Sequence, residues 1–165
     1  MPISEYLRKL RAKIGHDLVV IPGVTALIFN EQNHVLLHRA ATDGKWYTIG
    51  GAVDPGEDPA DAAVREVFEE TGLRVRPLRI VGVYTDPLVE YPNGDRVCYV
   101  STCFVCQNVG GKLEPQDDES LELRYFPPGE LPELPASHRH RIMQALKNQD
   151  LAWFAAKTMD NETES

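Results

Sequence analysis

Residues Gly51 to Leu73 read GAVDPGEDPADAAVREVFEETGL, and the rest of the chain is organised around this stretch. Asp58 followed by Pro59 reads as an N-cap with proline at the first helical position, and Asp61 adds negative charge where the helix dipole favours it. Gly72, after Thr71, sits where a left-handed residue ends a helix. A helix is therefore predicted from about Pro59 to Thr71. At about 100° per residue, Ala60, Val64, Val67 and Phe68 share one face, predicted to meet the core. Glu66, Glu69 and Glu70 gather on roughly the opposite face, predicted to point outward together.

Like charges spaced three and four residues apart repel by a few tenths of a kcal/mol per pair, roughly, so their clustering needs a cause. One cause is a solvated face, with Arg65 partly compensating Glu69. The other is a divalent cation, because Mg²⁺ takes hard oxygen ligands from a few carboxylates, water and substrate phosphate. Helix geometry alone leaves both open.

The wider spacing favours the cation. Gly51, Glu57, Arg65, Glu66, Glu69, Glu70 and Gly72 fit G-x5-E-x7-R-E-U-x-E-E-x-G-U, with Val67 and Leu73 at the apolar U positions. The stretch resembles a complete Nudix box, similar to that of the MutT-like Nudix hydrolases. The resemblance implies an α/β fold, the Nudix α/β/α sandwich with a mixed central sheet, and cleavage of a diphosphate linked to another moiety. It implies Mg²⁺, with Mn²⁺ as the alternative. Glu66, Glu70 and Glu69 would be ligands, Glu69 directly or through water, and the Gly50 carbonyl a further one. Arg65 would pair with Glu57 and brace the loop against the helix. Ile49 stands where the family usually carries a proline before the glycine pair. The shared fold would run from about Pro22 to Asn148.

With 165 residues, 42% of them hydrophobic, the chain suits one packed domain and is short for two. A net charge of −8, with no clustered basic face, argues against binding a nucleic-acid duplex. No apolar run reaches membrane-spanning length and no secretory leader is visible, so no membrane partner and a cytoplasmic location are expected. Cys98, Cys103 and Cys106 lie in a β-prone segment, and the offset of three puts Cys103 and Cys106 on opposite faces of a strand, against a zinc site.

Three segments follow: residues 1–17 as an N-terminal amphipathic helix packed on the domain, 18–156 as the hydrolase domain, and 157–165 as a disordered tail. The first carries Tyr6, Leu7, Leu10 and Ile14 at helical spacing over Ile3 to Ile14, with Ser4 as cap, and suits packing on its own domain or on a twin subunit in a homodimer. Gly23 to Phe29 and Val35 to Arg39 read as the strands of a first hairpin. Val75 to Thr85 and Arg96 to Val105 read as a second, longer one. Leu121 to Phe126 is a strand and Ser137 to Leu146 a closing helix. Asp150 to Ala156 extends it as a short helical piece, and His138 and His140 read as solvated.

Arg39 is a candidate for substrate phosphate, and Tyr47 and Tyr91 for contacts to the nucleotide. Pro87 and Tyr91 fall in the loop region where related subfamilies carry selectivity, but both residues are also ordinary in turns. Glu119, in the acidic loop before Leu121, is the first candidate for a further catalytic carboxylate, and Glu122, in the strand that follows, is the second. The catalytic set is Glu69, Glu66, Arg65, Glu57 and Glu119, with Glu69 favoured as the base. The expected substrate is a small nucleotide, a nucleoside diphosphate linked to another moiety such as ADP-ribose or a dinucleotide polyphosphate. Clean-up of damaged nucleoside triphosphates and a non-catalytic nucleotide sensor are the alternatives.

Overall fold

The computed structural model describes residues 5–116, 118–147 and 150–154. Two sheets form the body. In the first, β1 (Val19–Ile28) lies parallel to β6 (Arg96–Gly111), whose other edge carries β4 (Leu73–Thr85) antiparallel, with the short β5 (Val89–Glu90) also on β6. In the second, β2 (Val35–Ala40) sits between β3 (Trp46–Tyr47) and β7 (Ser120–Phe126), antiparallel to both. Helix α2 (Pro59–Thr71) and helix α3 (Ala136–Leu146) bury separate cores. Ala62, Ala63 and Val67 of α2 pack with Val24, Ala26, Phe104 and Cys106. Ile142 and Ala145 of α3 pack with Leu27, Val81, Tyr84 and Cys103. Alternate residues of β1 and β6 thus serve opposite layers, as the period of a strand requires, and the α/β/α sandwich with a mixed sheet is observed.

The first hairpin is not formed. β1 and β2 are linked only by the isolated bridge between Phe29, just past the end of β1, and Val35, and they lie in different sheets. The β1 edge a hairpin would use is taken by the glycine segment, where Val24 N–H donates to Gly51 O and Ala26 N–H to Ile49 O, both at 2.9 Å. The second hairpin is present as the β4–β6 ladder, broken by three register shifts. The strand at 120–126 and the closing helix are likewise present.

Helix α1 (Glu5–Ile14) has no fully buried residue; Leu7, Leu10, Arg11 and Ile14 are half-buried on one face. Arg11 ties it to β6 by donating from Nη2 to Arg96 O at 2.9 Å. Ile3 and Ser4 of the predicted helix lie outside the described residues. The predicted helical piece after Asp150 is absent over 150–154: Trp153 instead donates its N–H to Val81 O at 2.8 Å and stacks on Tyr84, its ring centroid 5.0 Å away. An extended chain is what brings the indole onto the α3-side core. Ala155, Ala156 and the tail at 157–165 lie outside the described residues. Among the described residues no helix is long and apolar enough to cross a membrane.

Candidate active site

Helix α2 starts and stops where predicted. Asp58 has extended backbone at the N-cap but makes no side-chain cap bond, and Gly72 closes the helix at φ 70°, donating its N–H to Phe68 O. Which face is buried differs from the prediction. Glu66 is fully buried and Glu70 nearly so, while Phe68 is half exposed. Glu66 and Glu70 share a face with Ala62 and Ala63, one helical turn apart, and those small side chains let the helix approach β1 and the glycine segment closely. Of the three box glutamates on α2, only Glu69 faces solvent, with its side chain 48% exposed.

Gly51 makes this burial feasible. A Cβ there would stand 2.5 Å from Glu66 Oε1, so the Glu66 carboxylate occupies the space a side chain at position 51 would fill. Glu66 Oε1 accepts from Arg65 Nη1 at 2.8 Å, whereas Glu66 Oε2 is buried with no hydrogen-bond partner among the described residues. Burial pushes the Glu66 carboxyl up to about 7, with the Arg65 guanidinium opposing the rise.

Arg65 is the hub of the loop. It grips Glu57 with both prongs, Nε to Oε1 and Nη2 to Oε2 at 2.8 Å each, donates to Ala52 O at 3.0 Å and reaches Glu69 Oε2 at 3.2 Å. This pairing holds the Glu57 carboxyl below its usual range. Glu57 also accepts from Asp54 N–H at 3.0 Å, so one salt bridge ties α2 to both ends of the loop before it. Glu70 lies toward the other side, its Oε2 3.6 Å from His38 Nδ1 and its Oε1 3.4 Å from Gly50 N.

Gly50, Glu69, Glu70 and Glu119 all border one open cleft of about 1400 Å³. Tyr47 and Tyr91 also line it: the Tyr47 hydroxyl donates to Asp43 Oδ2 at 2.6 Å, and the Tyr91 hydroxyl lies 3.0 Å from that of Tyr99. Glu122 and Arg39 are not among the lining residues. They face each other across β2 and β7 at 3.8 Å, and Glu122 also binds Arg124. Of the two candidates Glu119 and Glu122, the fold brings Glu119 to the cleft.

Four cleft residues escaped the sequence reading. Arg141, fully buried on α3, donates from Nη2 to Asp86 Oδ1 at 2.6 Å and from Nη1 to Thr25 Oγ1 at 3.1 Å. Asp86 Oδ2 accepts from Ser101 Oγ at 2.8 Å. The only sign in the sequence is that Arg141 directly precedes Ile142 on the apolar stripe of α3. His138 is not solvated: its Nδ1 accepts from Thr48 N–H at 3.2 Å and from Thr48 Oγ1 at 2.7 Å.

Among the described residues no three His, Cys, Asp or Glu side chains converge as a ready-made cation cage, Arg65 being inserted among the box carboxylates. The donor chemistry nevertheless fits a hard divalent ion, since an unpartnered buried carboxylate oxygen on Glu66 stands beside a cluster of oxygen donors.

A family model described as the NUDIX domain matches residues 20–146. The ADP-ribose pyrophosphatase of Methanocaldococcus jannaschii is 31% identical over 144 residues, covering 86% of this chain and 79% of that protein. A MutT-like protein of Streptomyces ambofaciens is 32% identical over 125 residues, 75% of either chain. The crystal structure of the MutT protein from Methanosarcina mazei Go1 aligns with a TM-score of 0.67 at 27% identity, covering 81% of this chain and 98% of that one.

Proposed function

The chain belongs to the Nudix hydrolase family and is a pyrophosphohydrolase of nucleotide-derived substrates, and from that premise we propose that it cleaves the diphosphate of a nucleoside diphosphate joined to a second moiety, of the ADP-ribose or dinucleotide polyphosphate type. The observation that carries this reading is the cleft. Its volume of about 1400 Å³ exceeds the roughly 300–1,000 Å³ of ordinary small-molecule sites. Beside the carboxylate wall it has a second, apolar wall of Pro87, Val89, Tyr91 and Tyr99, where the second moiety would lie. The three free cysteines, Cys98, Cys103 and Cys106, suit the reducing cytoplasm, where we place the reaction.

Glu66, Glu69, Glu70 and the Gly50 carbonyl would hold Mg²⁺, or Mn²⁺ in its place. Such an ion, when bound, supplies Lewis-acid polarisation of the diphosphate and a lowered pKa for the attacking water. Arg65 keeps Glu57 and the Ala52 carbonyl fixed, and so sets the path of the chain that presents Gly50 and Gly51. Glu69, half-exposed and held at one oxygen by Arg65, is the group assigned to take the proton from water; Glu119, also on the cleft wall, is the further catalytic carboxylate. Tyr47 and Tyr91 contact the nucleotide. Arg39, turned to Glu122, is left out of the substrate site.

Similarity to a putative 8-oxo-dGTP diphosphatase of Bacillus subtilis supports a second reading, release of pyrophosphate from damaged nucleoside triphosphates. A sensor without catalysis would have lost a box carboxylate, yet Glu57, Glu66, Glu69 and Glu70 are all present. The test is a chromatographic panel with Mg²⁺, comparing ADP-ribose, diadenosine polyphosphates and nucleoside triphosphates. The expected products from ADP-ribose are AMP and ribose 5-phosphate. Efficient turnover of triphosphates alone, to monophosphate and pyrophosphate, would overturn the first reading.

A further inference from the structure

His138 sits in the first turn of α3 and lines the cleft beside Tyr47, with the two rings edge to face at 5.5 Å. A backbone N–H can only donate, so the bond from Thr48 N–H requires a lone pair on Nδ1. The neutral ring must then carry its proton on Nε2. The Thr48 hydroxyl, 2.7 Å from the same nitrogen, donates to it as well. Among the described residues Nε2–H has no hydrogen-bond acceptor. The ring stays neutral for reasons built around it. Burial is the largest, Arg141 one turn along α3 and His38 on β2 add to it, Asp86 opposes, and together they push the imidazole down to about 4.

The geometry points to His138 as a substrate-contacting residue whose Nε2–H donates to an acceptor oxygen of the bound nucleotide. A neutral donor suits this place, because it adds a hydrogen bond to an anionic substrate without placing a further full charge beside buried Arg141. Two sources of the oxygen share this chemistry, a phosphoryl group or, on a base other than adenine, a base carbonyl. The inference rests on the proposed reaction only for the identity of that nucleotide.

His138→Asn and His138→Gln separate contact from scaffolding. The Asn oxygen takes the place of Nδ1 and keeps the Thr48 acceptor, but nothing remains at Nε2. The longer Gln reaches the Nε2 position and leaves Thr48 N–H without its acceptor. With the nucleotide that the wild-type enzyme hydrolyses best, His138→Asn should keep its Tm and lose kcat/KM on the order of tenfold or more. His138→Gln should lose Tm and retain more of kcat/KM. The reverse pattern, or wild-type kinetics in His138→Asn, would overturn the assignment and leave His138 a support for Thr48 only. Equal losses with adenosine and uridine diphosphate sugars would place the acceptor on the diphosphate; a loss confined to the uridine substrate would place it on the base carbonyl, and a loss confined to the adenosine substrate, whose base bears no oxygen, would overturn the assignment.

Should His138→Asn fail to fold, the wild-type Nε2 nitrogen resonance decides. It should move when the non-hydrolysable α,β-methylene analogue of the selected nucleotide is added, and a signal that stays fixed while the Gly50 and Gly51 amides shift would refute the contact. A panel that selects a triphosphate overturns the preceding functional reading alone, and His138 is then tested with that nucleotide.

Discussion

Replacing Glu66 by glutamine isolates what its burial costs. The carboxyl is fully inside the protein and titrates at about 7, against an ordinary value of 4.5. Because the folded state holds this proton more tightly than the unfolded chain does, the contribution is fully present below pH 4.5. It is lost as pH rises through 7. From 4.5 to about 7, at about 1.4 kcal/mol per pH unit, the loss is about 3 kcal/mol. Glutamine keeps an oxygen for Arg65 Nη1 and has no charge to bury. The two proteins must be compared directly, because His138 acts in the opposite sense: its lowered value adds stability as pH rises from about 4 to 6.5. That contribution is common to both and cancels in the difference. Glu57, held low, titrates below this window. Urea unfolding with EDTA between pH 5 and 8 should show Glu66→Gln gaining steadily on the wild type and exceeding it at pH 8. Adding Mg²⁺ at pH 8 should restore the wild type and do little for the variant. Parallel stability curves for the two proteins would refute the burial argument.

The Arg65–Glu57 pair is only 27% and 18% exposed and bidentate, so Arg65→Ala and Glu57→Ala should couple by about 1–2 kcal/mol in unfolding free energy and lower kcat together. Strictly additive losses in a double-mutant cycle would show that Arg65 acts separately from Glu57. Glu69→Gln and Glu70→Gln should each lower kcat on the order of 10²-fold in proteins that still fold, as circular dichroism would check. Exhaustive EDTA treatment should abolish turnover, and activity persisting after it would remove the metal from the mechanism.

The ends of α2 were legible because Asp58, Pro59 and Gly72 act through local backbone preferences that need no partner. The box spacing was legible for the same reason: its members lie on one loop and one helix. The burial of Glu66 and Glu70 was hidden, since apolar periodicity treats glutamate as a surface residue. The clue lay in the smallness of Ala62, Ala63 and Gly51, which gives weight to close approach and not to hydrophobicity. The first hairpin misled because an apolar run, a polar turn and another apolar run look alike whether the strands pair or separate. Only the competition of the Ile49–Gly51 segment for the β1 edge decides between them, and that competition is non-local. Arg141 and Asp86 meet across 55 residues, and each alone reads as an ordinary surface charge.

Cys103 and Cys106 lie three residues apart on one strand yet in different cores, and burial pushes both thiols up to about 12. A thiol-specific label therefore meets neither in the folded protein, for want of both access and thiolate. This gives the chain two native reporters, one under α2 and one under α3. Pulse labelling followed by peptide mass analysis records which layer opens first, and the addition of nucleotide would show whether the catalytic layer alone is protected or the whole sandwich breathes as one.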